Sequence, residues 1–375
     1  MSHPSYVEID FIQFKKNITN IKKYLQEVSL CLPVKANAYG HGLVPIGKAA
    51  VEAGVDYLAV AHLQEGVLLR KAKIEIPILV LGAFHEDQIE DFRKFNLEFS
   101  ISSEFKANLV AAKWGKRRNK KYRVHLEVDT GMQRTGVRPS TAASLFTHLK
   151  NLQCFEICGI YSHLATADSP LDGFAIYQIE QFRHLLEDPI FAKERMIRHL
   201  ANSGGTAYFP SSHFDMVRPS LLAFGYLSKD RPEGLKEVAP CFSLKSKVSY
   251  FKVVEGGQGI SYGHTYITKK RTRVVTVPIG YGDGYRRCLS NRGSVLIRGH
   301  RFPIVGMVCM DQFMVDVGDM EVRVGDEVVL IGRQGGNEIL LQEIADLCDT
   351  TPYEILCGFN ERLPRVEGKK KELTP

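Results

Sequence analysis

Leu30-Cys-Leu-Pro-Val-Lys-Ala-Asn-Ala-Tyr-Gly-His-Gly42 is the stretch from which the rest of the chain is read. An apolar run ends at Lys35, and a turn-rich segment follows with Asn37, Tyr39, Gly40, His41 and Gly42. An ammonium group at the end of a buried strand is costly unless it finds a partner. A lysine condensed with a carbonyl compound is no longer an ammonium, so this position suits a residue that holds a cofactor at the strand end. A core strand that merely meets solvent gives the same pattern. The choice between the two rests on what the other strands deliver.

Outward from this stretch the chain keeps a regular rhythm. Apolar, strand-like runs fall at 30–35, 57–61, 76–81, 97–101, 122–128, 155–162, 196–200 and 213–217. Each is followed by a helical or turn segment, at 43–53, 63–73, 87–95, 103–113, 140–149, 177–186, 204–209 and 220–224. Near-continuous apolar runs alternating with helices predict an α/β fold with a covered parallel sheet. Eight such units close most economically as a (β/α)8 TIM-type barrel. An open doubly wound sheet is the alternative, but no G-x-G-x-x-G follows any strand. Ahead of the barrel, residues 5–10 read as a strand, and Asp10 caps a helix over 11–28 with Ile12, Phe14, Ile18, Ile21 and Leu25 on one face.

Lys229-Asp-Arg-Pro-Glu-Gly234 is a polar break, and the texture changes after it. Short β-branched runs at 243–254, 272–277, 294–297, 302–308, 312–317 and 327–331 are separated by glycine-rich turns. They predict a mostly-β second domain, completed by a helix over 341–347 and a tyrosine-bearing segment over 351–365. The expected organisation is an N-terminal strand over 1–9 that can join the C-terminal domain, a barrel over 10–234 and a C-terminal β-domain over 235–375.

With 375 residues, 44% hydrophobic and 24% charged, the chain is long enough for two ordinary globular domains. A net charge of +7 is mild, and the Lys/Arg runs at 113–118, 120–123, 269–273 and 369–371 read as solvated surface, so no nucleic-acid partner is expected. No apolar run reaches the length of a membrane span and no signal segment is evident, so no membrane partner is expected. Eight cysteines without a CxxC pair suggest reduced thiols in the cytoplasm and no metal centre.

The ends of barrel strands face one site. Here they deliver Lys35 and Tyr39; Glu127, Asp129 and Arg134; Ser162, His163 and Asp168; Asn202 and Ser203; Arg218 and Ser220. Ser203 before Gly204-Gly205 reads as a helix start with open N–H groups, and Ser220 and Leu221 after Arg218-Pro219 as a second such nest. Taken singly, each is equally an ordinary N-cap. Together with Lys35 they suggest a phosphorylated aldehyde, pyridoxal 5′-phosphate (PLP), with His163 against its ring. Arg218 would face the pyridine nitrogen. Arginine only donates, so the ring becomes a weaker electron sink than one paired with aspartate. A carbanion there is short-lived, which favours reprotonation at Cα over transamination.

The whole set of motifs resembles the alanine racemase family. It comprises Lys35 in Val-Lys-Ala-Asn-Ala-Tyr-Gly-His-Gly, Asp129-Thr-Gly-Met-Gln-Arg134, Ser162-His163, Asn202-Ser203, Val217-Arg218-Pro219, Ser261-Tyr262-Gly263, Gly280-Tyr281-Gly-Asp-Gly284 and Cys309-Met310-Asp311-Gln312. The resemblance implies a PLP enzyme of fold type III, working as a homodimer that makes D-alanine for peptidoglycan. It implies Lys35 and Tyr262 as the two catalytic bases, with Tyr262 lent across the dimer interface. It implies Arg134 and the backbone of Met310 at the substrate carboxylate, and Tyr39, Ser203, Ser220, Leu221 and Tyr353 around the phosphate. Inversion at Cα needs one base on each face, which a lysine and a tyrosine supply.

The sequence also departs from that family. Glu127 stands where many members carry a carbamylated lysine, and it is expected to orient Arg134 directly. Ser220 replaces a common glycine. Met307 and Thr351 replace an arginine and a larger aliphatic residue along the substrate corridor, whereas Asp168 and Arg287 match. A serine or broad-specificity amino-acid racemase of the same fold is therefore the alternative, although Tyr353 would crowd a pocket larger than a methyl group needs. A PLP carrier without catalysis would lack the β-domain and Tyr262, and a decarboxylase would carry a cysteine–aspartate signature that is not evident here.

Overall fold

Ser29–Pro33 is a strand because both of its faces are covered, and Leu30, Cys31 and Leu32 are fully buried. The computed structural model describes residues 3–114, 120–168, 173–227 and 230–368. Within them, Ser29–Pro33 opens a closed barrel of eight parallel strands. The others are Tyr57–Val60, Ile78–Val80, Glu98–Ile101, Tyr122–Glu127, Phe155–Tyr161, Ile197–His199 and Met216–Val217. Met216 and Val217 pair with Ser29 and Leu30 to close the ring. Cys31, Tyr57, Ala59, Leu79 and Met216 pack together as a core cluster.

The expected eight-strand rhythm is present, with shorter strands. The last is two residues rather than the five expected over 213–217, because Pro210–Ser212 forms a 3-10 turn and Phe214 is left-handed at φ 47°. The helix expected over 220–224 is instead a run of i→i+3 turns, in which Ala223, Phe224 and Gly225 donate to Ser220, Leu221 and Leu222. The first helix, Phe11–Leu25, stops short of residue 28 where Gln26 turns left-handed at φ 58°. Ser103 caps Glu104–Lys113 by accepting from the Lys106 N–H.

The barrel unit comprises Ile12–Ala38 and Leu43–Pro240. Its end lies beyond the polar break at 229–234. Leu235 and Val238 are buried, and Asn17 brackets Ala239 by donating to its carbonyl at 2.8 Å and accepting from its N–H at 3.0 Å. Lys229 itself, residues 115–118 of one basic run and the lysine-rich tail from 369 lie outside the described residues.

The second unit comprises Met1–Phe11, Tyr39–Gly42 and Cys241–Pro375. It is built on a ten-stranded sheet. Tyr6–Ile9 runs antiparallel to Phe242–Lys247 and parallel to Arg365–Glu367, so the N-terminal strand is an integral part of this sheet. The run at 243–254 is two strands, Phe242–Lys247 and Tyr250–Val254, rather than one. Tyr39–Gly42 joins this unit because Arg365 Nε donates to the Gly40 carbonyl at 3.0 Å. Among the described residues no helix is long and apolar enough to cross a membrane.

Between Lys35 and Gly40 the backbone is a left-handed turn, with φ of 52°, 55°, 53° and 50° at Ala36, Asn37, Ala38 and Tyr39. Each such residue costs roughly 1–2 kcal/mol, so the turn persists only because its surroundings hold it. Glu65 Oε1 accepts from the Ala36 N–H at 2.7 Å, and Asn37 Oδ1 accepts from Leu43 N–H at 2.7 Å. Glu65 Oε2 also accepts from Ala61 and His62 at the start of the helix Leu63–Lys71. Ala36 is exposed, and glycine adopts its conformation without penalty. Ala36→Gly should therefore stabilise the fold by about 1 kcal/mol, contrary to the usual sign for glycine. Urea unfolding with an unchanged m-value checks this.

Candidate active site

Arg218 follows the last barrel strand and is 3% exposed. Its Nη1 donates to His199 Nδ1 at 2.7 Å, and its Nη2 donates to the Ser162 carbonyl at 2.7 Å and the Leu200 carbonyl at 3.2 Å. Its guanidinium lies over the Tyr161 ring, 5.1 Å from the centroid. Nε makes no hydrogen bond among the described residues. The group is thus held at both Nη atoms, with the Nε–H uncommitted.

His163 Nδ1 is 3.4 Å from Arg218 Nη2. Burial, then the positive charges of Arg218, Arg134 and Lys35, push the His163 imidazolium down to about 3. The imidazole is therefore neutral, and three cations from three barrel loops converge on it. Lys35, Arg134, His163 and Arg218 are brought together much as the strand-end argument expects.

The two anticipated phosphate nests are a single structure. Asn202 caps Ser203–Tyr208 by accepting from the Gly205 N–H at 3.0 Å, so that donor is spoken for. Ser203 Oγ accepts from the Ser220 N–H at 2.9 Å and the Leu222 N–H at 3.3 Å, stitching the two segments together. The Ser220 amide is turned to Ser203 instead of outward, which corrects the expectation of an open nest at that residue. The N–H groups of Ser203, Gly204 and Leu221 make no hydrogen bond among the described residues. A Cβ on Gly204 would sit 2.3 Å from the Ala167 carbonyl, so this close approach needs glycine. Open backbone donors, a lysine, a neutral imidazole and a spare arginine donor together fit a phosphorylated pyridine aldehyde.

Arg134 rides on a loop that closes on itself. Val137 N–H donates to the Glu127 carbonyl and Asp129 N–H to the Val137 carbonyl, while Asp129 Oδ1 accepts from Gly131 and Gln133. The expectation that Glu127 orients Arg134 directly is not met. Glu127 accepts from Thr135 Oγ1 at 2.6 Å and from Tyr161, and it reaches Arg134 only as a charge through space. Burial raises the Glu127 carboxyl, opposed by those hydrogen bonds and by the charges of Arg134 and Arg218.

In the β unit, Tyr262 is 73% exposed and Met310 53% exposed. Tyr262 sits between Ser261 at φ 65° and Gly263 at φ 69°. Ser261 Oγ donates to the Met307 carbonyl at 2.8 Å, tying this turn to the strand end that leads to Met310. The Met310 carbonyl is taken by the Gly282 N–H at 2.8 Å, while its own N–H makes no hydrogen bond among the described residues. Arg362 braces the loop from below, contacting Asp311 at 2.7 Å and the buried Asp283 at 3.2 Å. Tyr353 packs against Tyr39 with ring centroids 5.6 Å apart.

A family model described as "Alanine racemase, N-terminal domain" matches residues 9–228, and one described as "Alanine racemase, C-terminal domain" matches residues 241–367. The chain belongs to the alanine racemase family. An alanine racemase of Symbiobacterium thermophilum is 44% identical over 369 residues, covering 97% of each chain. One of Halothermothrix orenii is 41% identical, covering 99% of this chain and 98% of the relative. Among solved structures, alanine racemase of Clostridium difficile 630 superposes with a TM-score of 0.92 at 34% identity, covering 100% and 98% of the two chains. Alanine racemase of Bacillus anthracis with bound L-Ala-P superposes at 0.90 and 34% identity, covering 100% and 97%.

Several residues of this family member escaped the sequence reading. Glu65 was visible as part of a helix-start pattern, three residues after His62. Tyr161 and His199 sit inside strands and looked like core. Gln178, which bridges Thr130 and the His163 carbonyl, is an unremarked polar residue of a long helix.

His163 and His199 are both held neutral, His199 well below the ordinary histidine range by burial and then by Arg218 and His125. Below about pH 6.5 the unfolded chain takes up protons there that the native state refuses, so stability falls with pH. His163→Gln should lower the slope of unfolding free energy by up to about 1.4 kcal/mol per pH unit between about pH 6 and 4. Urea titrations across that range measure it, and parallel curves would exclude a neutral buried imidazole at this position.

Proposed function

We propose that this protein is an alanine racemase that interconverts L- and D-alanine by a two-base mechanism with PLP. The observation that carries the reading is Arg218, a buried guanidinium whose two Nη atoms are committed to neutral acceptors and whose Nε is not. An obligate donor suits an unprotonated ring nitrogen and cannot protonate it fully. Bound there, PLP supplies an electron sink just strong enough to make the Cα proton removable.

The chain's own groups do the rest. Lys35 Nζ holds the cofactor and exchanges a proton on one face of Cα. Tyr262 Oη exchanges it on the other, and the partner subunit supplies that tyrosine. The exposure of Tyr262 and Met310 supports this sharing, since both groups are presented outward with little to cover them. Arg134 and the Met310 N–H bind the substrate carboxylate, the latter again from the partner copy. The N–H groups of Ser203, Gly204 and Leu221, the hydroxyl of Ser220, and the phenols of Tyr39 and Tyr353 take the phosphate. Neutral His163 would help to hold the cofactor without adding charge. In the cell the product D-alanine serves peptidoglycan synthesis in the cytoplasm. The Tyr39–Tyr353 contact supports alanine over serine or larger substrates, because it limits how far the Tyr353 phenol can withdraw.

A coupled or polarimetric assay with L-alanine and L-serine tests the reading, with alanine preferred. Lys35→Ala should abolish the near-visible cofactor band, and Tyr262→Phe should cut kcat by about 10²–10⁴-fold. Mixing these two inactive variants should restore roughly a quarter of wild-type activity, because half of the dimers then hold one intact site of two. Cofactor binding without racemisation of either amino acid would refute the proposal, and no recovery on mixing would refute the shared site.

A further inference from the structure

We infer that Glu98 and His125, buried inside the barrel away from the reacting groups, are positioning residues that set the donor polarity and orientation of Arg218. The inference rests on the cofactor reading above. Glu98, His125, His199 and Arg218 are 1%, 0%, 0% and 3% exposed and come from four different strands or their ends. They form one chain: Glu98 Oε2 to His125 Nε2 at 2.8 Å, His125 Nδ1 to His199 Nε2 at 2.8 Å, and His199 Nδ1 to Arg218 Nη1 at 2.7 Å.

The protons in this chain have only one consistent arrangement. Arginine can only donate, so His199 Nδ1 accepts. The single proton of His199 is then on Nε2, so His125 Nδ1 accepts in turn. His125 carries its proton on Nε2 and donates to the Glu98 carboxylate, an acceptor at both oxygens. A second proton on either imidazole breaks a link. Burial, Arg218 and His125 all keep His199 neutral. Beyond Glu98, Arg123 Nη1 lies 2.7 Å from Oε1, an ion contact outside hydrogen-bond geometry that leaves Oε1 otherwise unpartnered.

Backbone geometry shows that the barrel is built around this chain. The register between Tyr122–Glu127 and Phe155–Tyr161 shifts between Val124 and His125. A Cβ on Gly159 would lie 2.4 Å from His125 Nδ1, so glycine there makes room for the imidazole. Tyr161 stacks on His199 at 4.8 Å, and Tyr57 meets His125 edge-on at 6.3 Å.

Glu98→Gln tests the inference sharply. Arg123 selects the amide oxygen, which leaves the NH2 group facing His125 Nε2. The His125 proton must then move to Nδ1, opposing the His199 Nε2–H and disrupting the acceptor offered to Arg218. Two readouts follow. Imidazole 1H–15N correlations should show Nε2–H tautomers for both histidines in the wild type and a changed His125 tautomer in Glu98→Gln. The variant should bind PLP about tenfold more weakly, yet bind the 1-deaza analogue, which lacks the ring nitrogen, as the wild type does. Arg123→Met added to Glu98→Gln frees the amide to turn its oxygen to His125 and should restore both readouts. Equal weakening toward both cofactors with unchanged tautomers would reduce Glu98 to a structural role and overturn the inference. So would an Nδ1–H tautomer at His199 or His125 in the wild type, a result that needs no variant to fold. A wild type that binds PLP no better than the analogue would instead overturn the ring-nitrogen reading of Arg218, while the tautomer measurement still decides the chain.

Discussion

Burying the Arg218 guanidinium is the constraint on which the catalytic end of the barrel depends. A cation taken out of water is destabilising by several kcal/mol unless its donors are met. Here they are met by neutral acceptors, two carbonyls and an imidazole nitrogen. Among the described residues no carboxylate pairs with it at contact distance, so its charge acts on the groups nearby. Burial first, and then this charge, hold His163 and His199 neutral, and the charge opposes the rise of the Glu127 carboxyl. The same choice of partners leaves the Nε–H uncommitted among the described residues. Electrostatics and ligand recognition are two results of a single burial.

Strain in this chain collects beside the groups proposed to do chemistry. Ala36–Tyr39 is left-handed immediately after Lys35, Gln133 at φ 56° precedes Arg134, and Ser261 at φ 65° precedes Tyr262. Each segment is over-determined by hydrogen bonds, from Glu65 and Asn37 in the first case, Asp129 in the second and Met307 in the third. Such geometry fixes where a side chain starts from the backbone, a requirement for proton transfer between groups that must not wander.

The β unit works by the opposite means. It commits carbonyls and carboxylates to bracing and leaves selected donors outward. The Met310 carbonyl is used and its N–H, among the described residues, is not, with Asp283, Asp311 and Arg362 holding the loop in that sense. Tyr262, in the same unit, is largely exposed. A second copy of the chain is the natural complement in the proposed mechanism.

Much of this was legible in the amino-acid sequence. Eight apolar runs spaced by helical segments specify a parallel barrel, because periodicity reports local burial and short connections limit topology. Lys35, Arg134, His163 and Arg218 were legible as a group because barrel strands all end on one face. The sequence could not say which N–H groups stay open, that Ser203 consumes the Ser220 amide, that Glu127 holds Thr135 instead of Arg134, or that Glu98 reaches Arg218 through two imidazoles. Apart from the local Glu127–Thr135 bond, those facts depend on hydrogen bonds between segments that meet only when the ring of strands closes. Composition and spacing therefore determined the fold and the chemical kit, and tertiary structure alone decided which donors and acceptors are left for a ligand.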